Sequence, residues 1–290
     1  MNPVAKEVTQ RIMGQLAAGV CPWKQPWTAQ SAVGMPSNAI TGRGYSGVNV
    51  LLLWSQAAER GYSSSRWLTF KQALDAGGHV RKGEKGCRVV FVSTFEKANA
   101  TTGESDRVPF LKSFTVFNVA QCDGLPVSLE PVITPKHNDG RDDDADAFMT
   151  ATGATIQHGE GRAYYRPSTD SIMLPLFDTF TGARAYYATA FHELGHWTGA
   201  EARLNREFGK RFGDGQYAAE ELVAELTSAF ICAELGLQDT AGADAAYCAH
   251  WVKSLTDHHG AILAAASAAS KAVAFLRGLA TQEQSESEAA

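Results

Sequence analysis

Apolar residues recur every four positions at the start of the chain, at Val4, Val8, Ile12 and Leu16, and this spacing predicts a first helix ended by Gly19. Pro22-Trp-Lys-Gln-Pro-Trp27 then reads as an extended aromatic loop. A glycine- and hydroxyl-rich stretch from Asn38 to Asn49 runs into an apolar helix that begins Val50-Leu-Leu-Leu-Trp54. Residues 67–74 have the pattern of a strand leading into a helix. The segment 77–88 is basic and turn-rich, and beyond it two apolar runs, 89–92 and 114–119, predict an antiparallel pair of strands. Helices mixed with a few antiparallel strands make this half an α+β unit.

In the second half the period is helical. Residues 185–191, Ala-Tyr-Tyr-Ala-Thr-Ala-Phe, contain neither glycine nor proline and lead into a helix that Gly199 stops. Residues 218–231 also lack a breaker, and Leu222, Leu226, Ala229 and Phe230 form one apolar stripe. Between the halves, residues 137–146 are polar and acidic and follow Pro131 and Pro135, the composition of a linker. The end of the same acidic run suits a helix N-terminus over 144–149. The last ten residues, 281–290, are polar and free of aromatics, and are expected to be disordered. The pattern therefore predicts two domains, 1–135 and 147–280, joined by a linker at 136–146 and followed by a tail at 281–290.

With 290 residues, 44% of them apolar, the chain can bury two cores. It has no run of 18 apolar residues and no basic-then-apolar start, so neither a membrane span nor a secretory signal is expected. Five scattered cysteines, Cys21, Cys87, Cys122, Cys232 and Cys248, predict reduced, mostly buried thiols and a cytoplasmic protein. The net charge of −5 conceals an asymmetry. Residues 1–135 carry 14 Lys+Arg against 9 Asp+Glu, net +5, whereas residues 136–290 carry 12 against 22, net −10. A basic half predicts a polyanionic partner. Arg81, Lys82, Lys85 and Arg88 share a glycine-rich turn suited to phosphates, and Trp23, Trp27, Tyr45, Tyr62 and Trp67 supply rings for stacking unpaired bases. No recognition-helix or zinc-finger pattern accompanies them, so the mixture favours single-stranded DNA over duplex.

The chemistry concentrates in His192-Glu-Leu-Gly-His196. On a helix, His192 and His196 lie one turn apart on one face and can bind one metal ion, with Glu193 placed to take a proton from a water that the ion polarises. A catalytic zinc uses a third protein ligand. Glu221 is the assignment: it follows His196 by 25 residues, enough to leave one helix and return in a second, and it adjoins the Leu222 and Leu226 stripe. Glu225, one turn on, would then accept the free N–H of a ligand histidine. Glu220, and after it Glu225, compete for the ligand role. Two imidazoles and a carboxylate suit Zn2+, and Mn2+ or Co2+ fit the same set. Tyr217, His250, His258 and His259 are available as donors to a developing oxyanion, and the sequence does not choose among them. A purely structural metal clamp would have four protein ligands and no use for Glu193.

His192-Glu-Leu-Gly-His-Trp-Thr-Gly199, with Glu-Glu-Leu-Val-Ala-Glu225 downstream, resembles the zincin-type metallopeptidase domain of ArdC-family antirestriction proteins. Residues 164–175 resemble the strand before the metal helix in that family, and 251–255 and 264–275 its closing helices. Residues 36–49, 67–70, 78–86 and 116–121 resemble its N-terminal domain, which plasmid conjugation primases share and which binds single-stranded DNA. The resemblance spans nearly the whole chain. It implies a zincin-like C-terminal domain in which a substrate backbone adds along 171–174 as an edge strand. It further implies an antirestriction protein of a plasmid that binds single-stranded DNA and protects incoming DNA from host restriction during conjugation, with a host restriction-system protein as a further partner. The alternative is an active zinc endopeptidase acting on a host protein, with DNA binding only to localise it.

Overall fold

In the computed structural model the four-residue apolar period becomes helix α1 (Pro3–Ala17), with Val8, Ile12 and Leu16 buried and Gly19 turning the chain at φ 77°. Residues 3–24, 34–98, 105–126, 129, 140–159, 161–207, 215–237, 243, 245–256 and 260–288 are described. Trp27, His258, His259 and the stretch 136–139 of the expected linker lie outside them.

The N-terminal half is built on a four-stranded sheet of order β1-β2-β5-β4. Strand β1 (Ser37–Asn38) runs parallel to β2 (Arg66–Thr69); β5 (Ser105–Asn118) is antiparallel to both β2 and β4 (Cys87–Ala98). The expected strands at 89–92 and 114–119 thus belong to a longer hairpin, since the backbone ladder continues through 93–98 and 105–113, where polar residues interrupt the apolar run. Helix α2 (Val48–Arg60) is buried at every position from Val48 to Ala57, which is why its start reads as an unbroken apolar run. Gly61 ends it in the left-handed region at φ 65°. Asn49 fastens this helix to the sheet through paired hydrogen bonds with the Val90 backbone, at 2.7 and 2.8 Å. Strand β2 passes directly into α3 (Phe70–Asp75) through a capping box between Thr69 and Gln72. A short ribbon of β3 (His79–Val80) and β6 (Cys122–Asp123) flanks the sheet.

The acidic run opens a helix, α4 (Asp143–Ala151), capped by the Asp142 carboxylate on the Ala145 N–H at 2.9 Å. The last residues of the expected linker therefore belong to this helix. A three-stranded sheet follows, made of β7 (Thr155–His158), β8 (Tyr164–Arg166) and β9 (Ser171–Leu174) in the order β7-β9-β8. Strand β9 is paired on both sides, so the expectation of an edge strand at 171–174 is corrected: the edges are β7 and β8. Helices α5 (Ala183–Trp197), α6 (Gly215–Glu234), α7 (Ala245–Thr256) and α8 (Ala261–Glu288) complete the chain. Residues 261–281 of α8 have the length and hydropathy of a membrane span, yet Ile262, Ala265, Ala269, Ala272, Val273 and Leu276 form a buried stripe of the core. The helix runs on to Glu288, through the residues expected to be a disordered tail, because nothing after Gly278 breaks it.

One hydrophobic core joins the halves. Trp23 meets Trp251 edge-on at 6.0 Å, Trp54 meets Phe230 at 5.7 Å, and the Gly47 N–H donates to Ser270 Oγ at 2.7 Å. All five cysteines are reduced thiols, four of them buried.

Candidate metal centre

Helix α5 carries His192 and His196 on one face, and their Nε2 atoms stand 3.1 Å apart. Glu221 of the neighbouring α6 closes the triangle, at 3.4 Å from His192 Nε2 and 3.6 Å from His196 Nε2. A tetrahedral ion with bonds of about 2.1 Å sets its ligand atoms about 3.4 Å apart, so the spacing of these three donors matches the ion. Among the described residues this is the cluster whose donor atoms all lie within 4.8 Å of one another. It opens into a cleft of about 370 Å³ lined by Tyr165, Glu193, Tyr217 and the three donors. Three donors and an open side are the arrangement of a catalytic site, not of a closed structural one.

The competing glutamates separate by position. Glu220 lies behind His196, with Oε1 3.3 Å from Nδ1. Glu225 faces His192 Nδ1 at 4.0 Å and lines a second cavity of about 500 Å³ with Trp23, Lys24 and Arg184. The hydrogen-bonded carboxylate behind a ligand histidine is therefore Glu220, in place of the expected Glu225, whose distance exceeds a hydrogen bond. Arg206, which no periodic signal marks, holds Glu220 in a bidentate pair at 2.8 and 2.9 Å and also donates to Gly195 O and Thr198 Oγ1.

Burial raises the Glu193 carboxyl above its ordinary value, against the charges of His192 and His196 and a hydrogen bond from the Tyr165 backbone N–H. Burial alone would also raise Glu221, but its hydrogen bond with His192 and the charge of His196 bring it below the ordinary value. For His192, burial opposes the charge, and the hydrogen bond to Glu221 with the Glu225 and Glu193 charges reverses this, raising it. Burial and the hydrogen bond to Glu221 push the Tyr217 hydroxyl up to about 12, so it stays protonated and able to donate. Of the four expected oxyanion donors, Tyr217 lines the cleft; His250 instead lies on α7 against Trp251. The edge strand β8 borders the same cleft through Tyr164 and Tyr165. A clamp of Arg203 on Asp170, Tyr165 Oη and the Trp197 carbonyl ties that strand to the end of α5.

The expected DNA-contacting residues fare unevenly. Trp23 and Trp67 are core side chains, 4% and 1% exposed, which corrects their reading as stacking platforms. Tyr45 is half-buried against the core. Arg81 is engaged with Glu84, Asp123 and the Ala120 carbonyl. Arg88 is exposed and paired with Glu7 at 2.9 Å, while Lys82 and Lys85 are exposed and, among the described residues, have no ion-pair partner.

Residues 2–117 match the N-terminal domain of anti-restriction factor ArdC, and residues 143–268 match the zincin-like metallopeptidase family. The chain is 42% identical over 277 residues to protein y4eC of Sinorhizobium fredii, covering 92% of this chain and 89% of that one. It is 39% identical over 295 residues to a DNA primase TraC of Escherichia coli, covering 95% of this chain but 27% of the primase. The metal-free crystal structure of antirestriction protein ArdC from plasmid R388 superposes with a TM-score of 0.81 at 41% identity, over 97% of this chain and 98% of that one. The Mn(II)-bound structure of the same protein gives 0.77 at 40% identity, over 95% and 97%. A divalent ion is supported by that relative as well as by the donor set. The chain belongs to the ArdC family of antirestriction proteins, an ArdC N-terminal domain followed by a zincin-like one.

Proposed function

We propose that the protein is a plasmid-type antirestriction factor that binds single-stranded DNA through its basic N-terminal domain and protects it during conjugative entry, inside the recipient cytoplasm. The observation that carries this reading is the pair of uncommitted lysines, Lys82 and Lys85, on the turn of a domain matching the ArdC N-terminus. A gel shift with single-stranded and duplex oligonucleotides at several salt concentrations tests it. Tighter binding to the single strand, weakening steeply with salt, is expected. Binding without a salt dependence, or none, overturns it. In a plasmid-transfer assay into a restricting recipient, Lys82→Glu with Lys85→Glu loses protection.

The cleft favours a second reading, peptide hydrolysis on a host restriction-system protein. His192, His196 and Glu221 would hold a divalent ion, with zinc the first choice, whose charge would acidify a water and polarise a peptide carbonyl. The exposed edge of β8 offers backbone groups to an extended peptide beside that position. Glu193, its carboxyl raised by burial and oriented by the Tyr165 N–H, takes the proton of the attacking water and passes it to the leaving nitrogen as the C–N bond breaks. Tyr217 donates its O–H to the oxyanion. Glu193→Gln abolishes cleavage of an unfolded protein substrate on this reading. Plasmid protection that survives Glu193→Gln separates antirestriction from proteolysis.

A further inference from the structure

Sheet register puts Leu68 beside Phe117 and Arg88 beside Thr115, so these four side chains stand on one face. Phe70, the first residue of α3, extends that row and meets Phe117 edge-on at 6.4 Å. Leu68 is fully covered, packed with Ala73 of α3. Phe70 is not: it is 52% exposed, and Leu74, one helical turn on, is 51% exposed. The basic turn lies against the same row. A Cβ on Gly86 would come within 2.4 Å of Thr115 Cγ2 and 3.1 Å of Phe117 Cε1, so glycine is needed for the turn to settle beside the aromatic pair. That turn presents Lys82 and Lys85, and Arg88 ends the row. Burial does not account for Phe70, and ion pairing does not account for the two lysines.

We infer that Phe70 and Phe117 form a stacking platform for the unpaired bases of single-stranded DNA, with Lys82, Lys85 and Arg88 on the phosphates. The inference rests on the DNA-binding reading above and names its surface. An exposed ring flanked by cations suits a strand whose bases are free, because every base has a π face and a duplex hides those faces in its own stack. A second exposed pair, Phe91 and Phe114 at 5.6 Å, stands on the opposite face of the sheet, away from Gly86 and Arg88, and serves as the control.

Fluorescence anisotropy of the full chain with a labelled oligothymidylate, repeated at several salt concentrations, tests the platform. Phe70→Ala is expected to weaken binding about tenfold or more, with the salt slope unchanged. Phe70→Trp keeps the affinity, and Phe91→Ala leaves it unaltered. Lys82→Glu with Lys85→Glu lowers the slope by about 0.7 for each phosphate that the protein no longer neutralises. Wild-type binding that Phe70→Ala leaves intact overturns the platform alone. Full affinity in Phe70→Leu also overturns it, since leucine preserves an apolar surface but cannot stack, and points to a protein partner for this patch. A wild type that shows no salt-dependent binding overturns the DNA reading itself.

Discussion

Glu220 Oε1 stands 3.3 Å from His196 Nδ1, on the side of the ring away from the metal position, and Arg206 grips both oxygens of that carboxylate. The pair fixes the ring so that Nε2 faces His192 and Glu221. Removing such a partner costs metal affinity without removing a ligand. Glu220→Gln is expected to weaken binding about 10- to 100-fold, measured by titration against a chelator of known affinity. Glu221→Ala should abolish stoichiometric binding, and Glu225→Ala, lacking a hydrogen bond to His192, should change it least. Full occupancy in Glu221→Ala would remove it from the ligand set.

The same pair gives a pH dependence. Burial would raise Glu220, but the hydrogen bonds from Arg206 and His196 bring its carboxyl below its ordinary value of 4.5. A depressed carboxyl contributes stability above that ordinary value, and the contribution is lost as pH falls through the lower folded value. Arg206→Met leaves the buried Glu220 with His196 as its remaining partner among the described residues, at a cost of about 2–3 kcal/mol near neutral pH. Urea denaturation at pH 6 and pH 3 should show the difference between wild type and variant shrinking at the lower pH. A constant difference would mean that Arg206 acts by packing alone.

Much of this centre is legible in the sequence because its determinants are local. The histidine spacing, the uninterrupted run before it and the Leu222 and Leu226 stripe specify two helices and the face that Glu221 shares. What depends on sheet order or loop path is not legible. Strand β9 reads as readily as an edge as a centre, since its four residues do not say which strands pair with it. Arg206 sits in the irregular segment after α5, with no period to mark it. Residue type does not separate a stacking ring from a core ring: the buried Trp23 and Trp67 and the exposed Phe70 differ in tertiary surroundings that no local pattern encodes.

Gly195, inside the metal motif, sets the distance between the two helices. A Cβ there would fall 2.9 Å from Ala224 Cα and 3.3 Å from Ala224 Cβ, and the nearer atom is backbone that cannot swing aside. Two effects oppose each other in Gly195→Ala. Helix propensity gains about 1 kcal/mol, while forcing the helices apart costs about 1–3 kcal/mol. Overpacking is expected to win, with a lower Tm and weaker metal binding, because Glu221 lies one turn from Ala224. A raised Tm with unchanged metal affinity would show that the helices have slack.

Trp23 closes the contact between the halves, with its ring edge-on to Trp251 and its indole N–H donating to Tyr247 Oη at 3.1 Å. Truncating such a side chain leaves a cavity and removes the hydrogen bond that the indole gives the Tyr247 hydroxyl. Trp23→Ala is expected to cost about 3–5 kcal/mol in chemical denaturation. Where the variant remains folded, its affinity for single-stranded DNA should match wild type, since a ring 4% exposed has no face to offer a base. Trp23→Phe separates the two roles, because it refills most of the cavity while weakening any stack. A Trp23→Phe protein as stable as wild type that binds single-stranded DNA tenfold more weakly would return Trp23 to the DNA surface.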